Sequence, residues 1–238
     1  MPIRDPAGAI VRWIGTCTDI HATRLAAEER ELVSQELSHR IKNIFAVLTG
    51  IVSLSARSRP EVKPFADELR QRIYALGEAH DFVRPHSTDS QPSTSQTSLR
   101  ALIERLMQPY QSSEFARVEF VGDDAVIDDG AATPLALLFH ELATNAAKYG
   151  ALSVATGRVV LTGTRNENGR YHLSWMEHGG PAASTKKTGG FGTRVIELSV
   201  QGQLRGQVER FWEDTGLRVE IDLPEDALTR SARLQAER

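Results

Sequence analysis

Apolar positions recur along this chain in more than one rhythm, and the change of rhythm divides it. Leu37, Ile41, Ile44, Leu48 and Ile51 follow a 4-3-4-3 spacing, the period of a coiled-coil or bundle seam. They lie inside a helical pattern running from about Ala22 to Ser58. Arg59-Pro60 interrupts it, because the residue before a proline resists helical backbone angles. A second helix comes next with Val62, Phe65, Leu69, Ile73, Leu76 and Val83 on one side. Two amphipathic helices joined by a tight turn make a helical hairpin. Its apolar faces ask for a partner, most simply a second copy in a four-helix bundle, hence a homodimer. A monomer would mean that the hairpin packs against another part of the chain.

Upstream, residues 3–20 read as two short strands, Ile3-Arg4 and Ala9 to Thr18, around the turn residues Asp5-Pro6-Ala7-Gly8. Two strands cannot stand alone, so residues 1–20 read as the end of a domain that begins elsewhere. Residues 86–98, HSTDSQPSTSQTS, hold no aliphatic or aromatic side chain and read as a linker between the hairpin (21–85) and a second domain (99–224). In that domain the pattern predicts a helix at Leu99–Gln108, strands at Val118–Val121 and Ala125–Ile127, and a helix at Thr133–Tyr149. Strands are predicted next at Arg158–Thr164 and Tyr171–Glu177, then a short helix at Gly192–Val200 and a closing pair, Gln203–Glu209 and Leu217–Leu223. Strands joined mainly by hairpins with helices between them predict an α+β two-layer sandwich. Residues 225–238 form a polar tail.

Composition narrows the setting. Of 238 residues, 40% are hydrophobic and 25% charged, enough for a buried core. A formal net charge of −3 gives no basic excess of the kind a nucleic-acid binder shows. No apolar run approaches the ~20 residues of a membrane span. The single cysteine, Cys17, allows no intrachain disulfide and fits a reducing cytoplasm.

Candidate chemistry gathers in the second domain. On the helix FHELATNAAKYGALS, Glu141, Asn145 and Lys148 fall within about 60° of one another at ~100° per residue, beside an apolar arc of Leu135, Leu138, Leu142 and Ala146. WMEHGGP ends a strand on an acid followed by paired glycines. TGGFGTRVIE is a glycine-rich loop opening into a helix, where backbone amides can approach phosphates. Between these two pieces, Lys186 and Lys187 could neutralise phosphate charge. Each piece alone has an ordinary reading as solvated face or turn.

In this order, HELATNAAKYG, EHGGP and GGFGTRVI resemble the N-box and the two glycine boxes of the GHKL ATPases, over roughly residues 99–223. The resemblance implies a Bergerat ATP pocket. Asn145 would bind Mg²⁺, Glu141 would polarise water or an attacking group, and Lys148 and Tyr149 would contact the nucleotide. Glu177 would read adenine where the family usually has Asp, beside Gly179 and Gly180, with Gly190, Gly192 and Thr193 in the second box. His140 together with Trp175-Met176-Glu177 resembles the HWE subfamily of histidine kinases, and LSHRIKN resembles its phosphoacceptor box with His39 as acceptor. DPAGAIVRWIGTCTDIH resembles the last strands of a PAS sensor. The subfamily resemblance implies autophosphorylation of His39 from Mg-ATP and transfer to an aspartate on a response regulator receiver domain.

Geometry agrees for His39, which lies roughly 160–200° from the apolar seam on the solvent side of its helix. Arg40 can hold phosphate oxygens, and Asn43, one turn on, can orient a water for dephosphorylation. Arg40 stands where most histidine kinases carry an acid. Trp175 reads as core, and His140, off the polar stripe, as structural. Two rival readings remain: a GHKL ATPase or protein-serine kinase whose hairpin only dimerises, and a non-catalytic dimeric scaffold that binds a regulator.

Overall fold

The computed structural model describes residues 2–13, 19–83, 98–113, 115–182 and 190–229. The predicted linker, save Ser98, Cys17, Lys186 and Lys187, and most of the tail lie outside these residues. The chain divides into two units, residues 1–39 and 40–238.

In the first unit, β1 (Pro2–Arg4) pairs antiparallel with β2 (Ile10–Trp13). The Asp5 side chain accepts from the backbone N–H of Ala7 and of Ala9, both at 2.9 Å, which closes the turn as expected for Asp-Pro-Ala-Gly.

Helix α1 (His21–Arg57) matches its predicted span closely. A 3₁₀ turn at Pro60–Val62 leads into α2 (Lys63–Val83). The helices meet where Phe45 faces Gly77 and packs edge-on against His80, and where Lys42 pairs with Asp81 at 3.0 Å. The predicted seam of α1 finds little cover among the described residues: Leu37, Ile44, Leu48 and Ile51 are exposed, and Val33, Val47 and Leu54 widen the stripe. Helix α2 behaves differently and packs against α4 (Asp129–Tyr149) and α3 (Leu99–Met107). Its buried residues are Ala66, Ile73, Ala75 and Ala79, whereas the predicted core residue Phe65 is exposed. Alanine lets the helix backbones come close, and Phe65 falls outside that contact.

Sheet order in the second unit is β3 (Val118–Gly122), β4 (Arg158–Arg165), β5 (Arg170–His178), β7 (Gly216–Pro224), β6 (Gln207–Glu213). β3 runs parallel to β4, and all other neighbours are antiparallel. Alternate residues Val159, Leu161, Tyr171, Leu173, Trp175, Val219, Ile221 and Leu223 point into one core with α3 and α4, the period-two burial of a one-sided sheet. This is the expected two-layer α+β sandwich.

Three local expectations need correction. Ala125–Ile127 is not a strand: Val126 makes only an isolated bridge to Ser98 while Ala125 and Ile127 bury on either side of it. Helix α4 begins four residues before Thr133, because Asp128 caps it by accepting from the Ala131 N–H at 3.0 Å and Pro134 is accommodated near its start. Helix α5 (Phe191–Glu197) stops short of Val200 and gives way to a π turn at Leu198–Gln203, so β6 starts at Gln207 rather than Gln203.

Candidate functional site

Helix α4 carries the site because its two faces have different jobs. Leu135, Leu138, Leu142 and Ala146 are buried in the core and fix its rotation. That rotation brings Glu141, Asn145 and Lys148 together on the adjoining edge. Glu141 is only 3% exposed, Asn145 is half-buried, and Lys148 and Tyr149 are exposed.

The second glycine box meets this edge directly. A Cβ on Gly192 would lie 2.4 Å from Glu141 Oε2, so a larger residue in this first turn of α5 would have to push the carboxylate aside. Gly190, exposed, precedes α5, and Thr193 is half-buried within it. The first glycine box meets the far end of α4. Glu177 Oε2 accepts from the Ala151 N–H at 2.7 Å, and Glu177 Oε1 faces the Trp175 Nε1–H at 3.4 Å. Gly150 lies against this carboxylate so closely that a Cβ would come within 1.9 Å of it, and Gly180 abuts Ala151 at 2.6 Å by the same measure. Gly179 has φ +70°, a left-handed backbone that favours glycine. The three motifs, scattered in sequence, thus close around one helix.

Electrostatics separate the two acids. Glu177 is 2% exposed, and burial pushes its carboxyl above the ordinary range despite the donors at Ala151 and Trp175. Its oxygens already serve the fold, so the adenine-reading role implied for it would have to use lone pairs that these donors leave over. Glu141 instead meets a full positive charge, from a residue that the sequence alone did not single out. Arg72 of α2 donates from Nε to Oε1 at 2.6 Å and from Nη2 to Oε2 at 3.1 Å, a bidentate pair, and stacks on the Phe191 ring at 4.7 Å. One turn earlier, Glu68 accepts from Lys148 Nζ at 2.5 Å, a contact that holds the Glu68 carboxyl below its ordinary range. The only signal in the sequence was Glu68 and Arg72 four apart on one helix, which reads as a routine surface pair.

His140 stands apart from the stripe. It lines a groove of about 1010 Å³ with Ile73, Tyr74, Leu106 and Tyr110, and burial lowers its pKa. Trp175, 1% exposed, is core. On α1, His39, Arg40 and Asn43 are all exposed.

Layer order and sheet topology match the fold of a solved histidine kinase domain. The histidine kinase domain of the Erythrobacter litoralis EL346 blue-light activated histidine kinase superposes with a TM-score of 0.54 at 19% identity, over 87% of this chain and 98% of that one. A family model described as HWE histidine kinase matches residues 36–124. Blue-light-activated histidine kinase 1 of Erythrobacter litoralis (strain HTCC2594) is 37% identical over 229 residues, 94% of this chain and 62% of the relative. A blue-light-activated histidine kinase of Rhizobium johnstonii is 32% identical over 228 residues, 94% of this chain and 63% of the relative. Over residues 36–124 the chain is thus similar to the HWE histidine kinases, and over most of its length to the two curated relatives. It spans less than two thirds of the length of these two relatives.

Proposed function

We propose that the chain is the kinase core of a sensor histidine kinase, which phosphorylates His39 from Mg-ATP and passes the phosphoryl group to an aspartate of a response regulator. Residues 21–85 are assigned as the phosphoacceptor and dimerisation hairpin, and residues 99–224 as the ATP-binding domain. The observation that carries the reading is the closure of three separated motifs around α4, with Gly192 set against Glu141 and with Asn145 one turn further along.

Asn145 offers a neutral oxygen suited to Mg²⁺, a cation that prefers oxygen ligands and keeps several waters. Such a site needs phosphate oxygens more than a cluster of protein acids. Bound there, Mg²⁺ would neutralise charge on the phosphates. Lys148 and Tyr149 would hold the nucleotide, with Gly179, Gly180, Gly190, Gly192 and Thr193 giving the backbone room to approach it. Transfer forms a P–N bond at a His39 ring nitrogen, breaks the bond to the β-phosphate oxygen of ATP and releases ADP. The ring proton goes to solvent or to a base such as Glu141. The exposed stripe of Leu37, Ile44, Leu48 and Ile51 supports a homodimer, at ~1.5–3 kcal/mol per side chain if buried fully. No described helix is long and apolar enough to cross a membrane, and the lone Cys17 fits a cytoplasmic setting.

The test is incubation with γ-labelled ATP and Mg²⁺. Label that survives base, is lost in acid and disappears in His39→Ala and Asn145→Ala is the expected result. Acid-resistant label that persists in His39→Ala would make the acceptor a hydroxyl. Release of phosphate without any labelled protein would make the chain an ATPase.

A further inference from the structure

Two ion pairs join α2 to the nucleotide edge of α4, and they are reciprocal. Along α2 the charges run acid then base, Glu68 and Arg72; along α4 they run acid then base, Glu141 and Lys148. Each α2 residue meets its opposite: Arg72 with Glu141 at 2.6 Å and Glu68 with Lys148 at 2.5 Å. The chain separations are 69 and 80 residues, so this is tertiary docking and not local helix pairing. Ala75 and Ala79 continue the same face of α2, at i+7 and i+11 from Glu68, and both are buried.

The proposed function uses both α4 partners, Lys148 to hold the nucleotide and Glu141 as a base at the transferring phosphate. Glu141 is gripped at both oxygens by one guanidinium, which fixes the carboxylate toward α2 and takes one acceptor site on each oxygen. Glu68 puts a carboxylate on the ammonium of Lys148, the position a phosphate would take, and like charges at that range repel. The contact is also incomplete. Arg72 Nη1 is buried with no hydrogen-bond partner among the described residues, and the Glu68 Oε2 beside it is 3.8 Å away. A buried donor left unmet makes the closed state less favourable than a satisfied one, as befits a contact that has to open.

We propose that Glu68 and Arg72 form an autoinhibitory clasp: without nucleotide α2 occupies Glu141 and Lys148, and Mg-ATP must displace the α2 side chains to engage them. The proposal rests on the nucleotide-site reading above and adds its regulation. Whatever moves α2 along or about its axis then sets access to ATP, so the hairpin can govern the kinase domain without touching the adenine end of the pocket.

The experiment is equilibrium binding of a fluorescent ADP analogue with Mg²⁺ to the full chain, alongside initial autophosphorylation rate. Arg72→Gln should tighten binding by about tenfold, the scale of a lost charge-assisted bidentate contact, and should speed initial labelling. Glu68→Gln removes only the half-exposed pair and should tighten binding by about threefold or less. It also covers the case in which Arg72→Gln fails to fold. In the unmodified protein, added nucleotide should lower hydrogen-exchange protection of α2 amides around residues 68–76. Unchanged affinity in both variants with unchanged α2 protection overturns the clasp while leaving the nucleotide site intact. Slower labelling in Arg72→Gln at unchanged affinity also overturns it and makes Arg72 a participant in transfer. No nucleotide binding by the unmodified protein overturns both the clasp and the site reading.

Discussion

Glu141 and Glu177 are two nearly inaccessible acids in one site, yet they are buried in different ways. Glu141 lies beside the middle of α4 and is met by Arg72, a charge from another element. Glu177 lies beyond the helix C-terminus and is met by two neutral donors, the Ala151 N–H and the Trp175 indole. Each carboxylate also has a glycine pressed against it, Gly192 on one and Gly150 on the other. Desolvation disfavours a charged carboxylate in both places. A guanidinium offsets that cost by full charge, whereas neutral donors offset only part of it, which is why the Glu177 carboxyl is pushed upward. The first acid is thereby tied to the position of α2, and the second belongs to the sandwich alone.

Removing what surrounds Glu177 should have the largest effect on stability. Trp175→Ala deletes a fully buried indole together with its donor to Glu177 and should cost about 3–5 kcal/mol in urea unfolding. Glu141→Gln comes next: it leaves the Arg72 side chain, 11% exposed, facing a neutral amide. Breaking a buried pair in this way should cost about 3 kcal/mol, toward the lower end because Gln keeps one acceptor. A loss as small as that of a surface pair would place water at Arg72.

Glu177→Gln is the finer probe. At neutral pH it should change stability by about 1 kcal/mol or less, since the amide oxygen can still accept from Ala151. Its pH dependence is more telling. A carboxyl whose folded pKa is raised binds its proton more tightly in the folded state. The native protein should therefore lose stability as pH rises from the ordinary value of 4.5 through the raised one. Glu177→Gln should be flatter across that window, as read from unfolding midpoints against pH. Smallest of all, Lys148→Ala breaks a pair exposed at 38% and 39%. It should cost less than ~1 kcal/mol and become undetectable in high salt, although nucleotide binding should weaken with it.

Legibility in the sequence tracked how loudly each residue signals burial. The seam of α1, the alternation of β5 and β7 and the polar stripe of α4 use Leu, Ile, Val and charged residues at regular spacing, and these elements stand where the pattern placed them. The contact face of α2 uses Ala75 and Ala79, which carry almost no hydropathy contrast, so its docking on α4 gave no signal in the sequence. Pro134 masked the true start of α4, which Asp128 sets by capping. Ala125 and Ile127 have strand spacing but no neighbouring strand to pair with, among the described residues, beyond one bridge. Arg72 and Glu68 read only as a routine pair four apart on one helix, because their contact with Glu141 and Lys148 exists only once α2 meets α4.

The place of β5 in the sheet has a consequence for the order in which the protein is made. This strand carries Trp175 and Glu177, and its second neighbour is β7, paired from Arg170↔Pro224 to Met176↔Arg218. Until residue 224 has been synthesised, the β7 side of β5 remains an open edge, with an unpaired ladder that other chains can join. At ~5–20 residues per second the interval is roughly 2–10 s, long beside the microseconds in which a helical hairpin forms. A nascent chain therefore presents its helical hairpin seconds before the sheet beneath α4 can close. Stop codons or slow codons between residues 178 and 216 should favour aggregation far more than the same changes after residue 224.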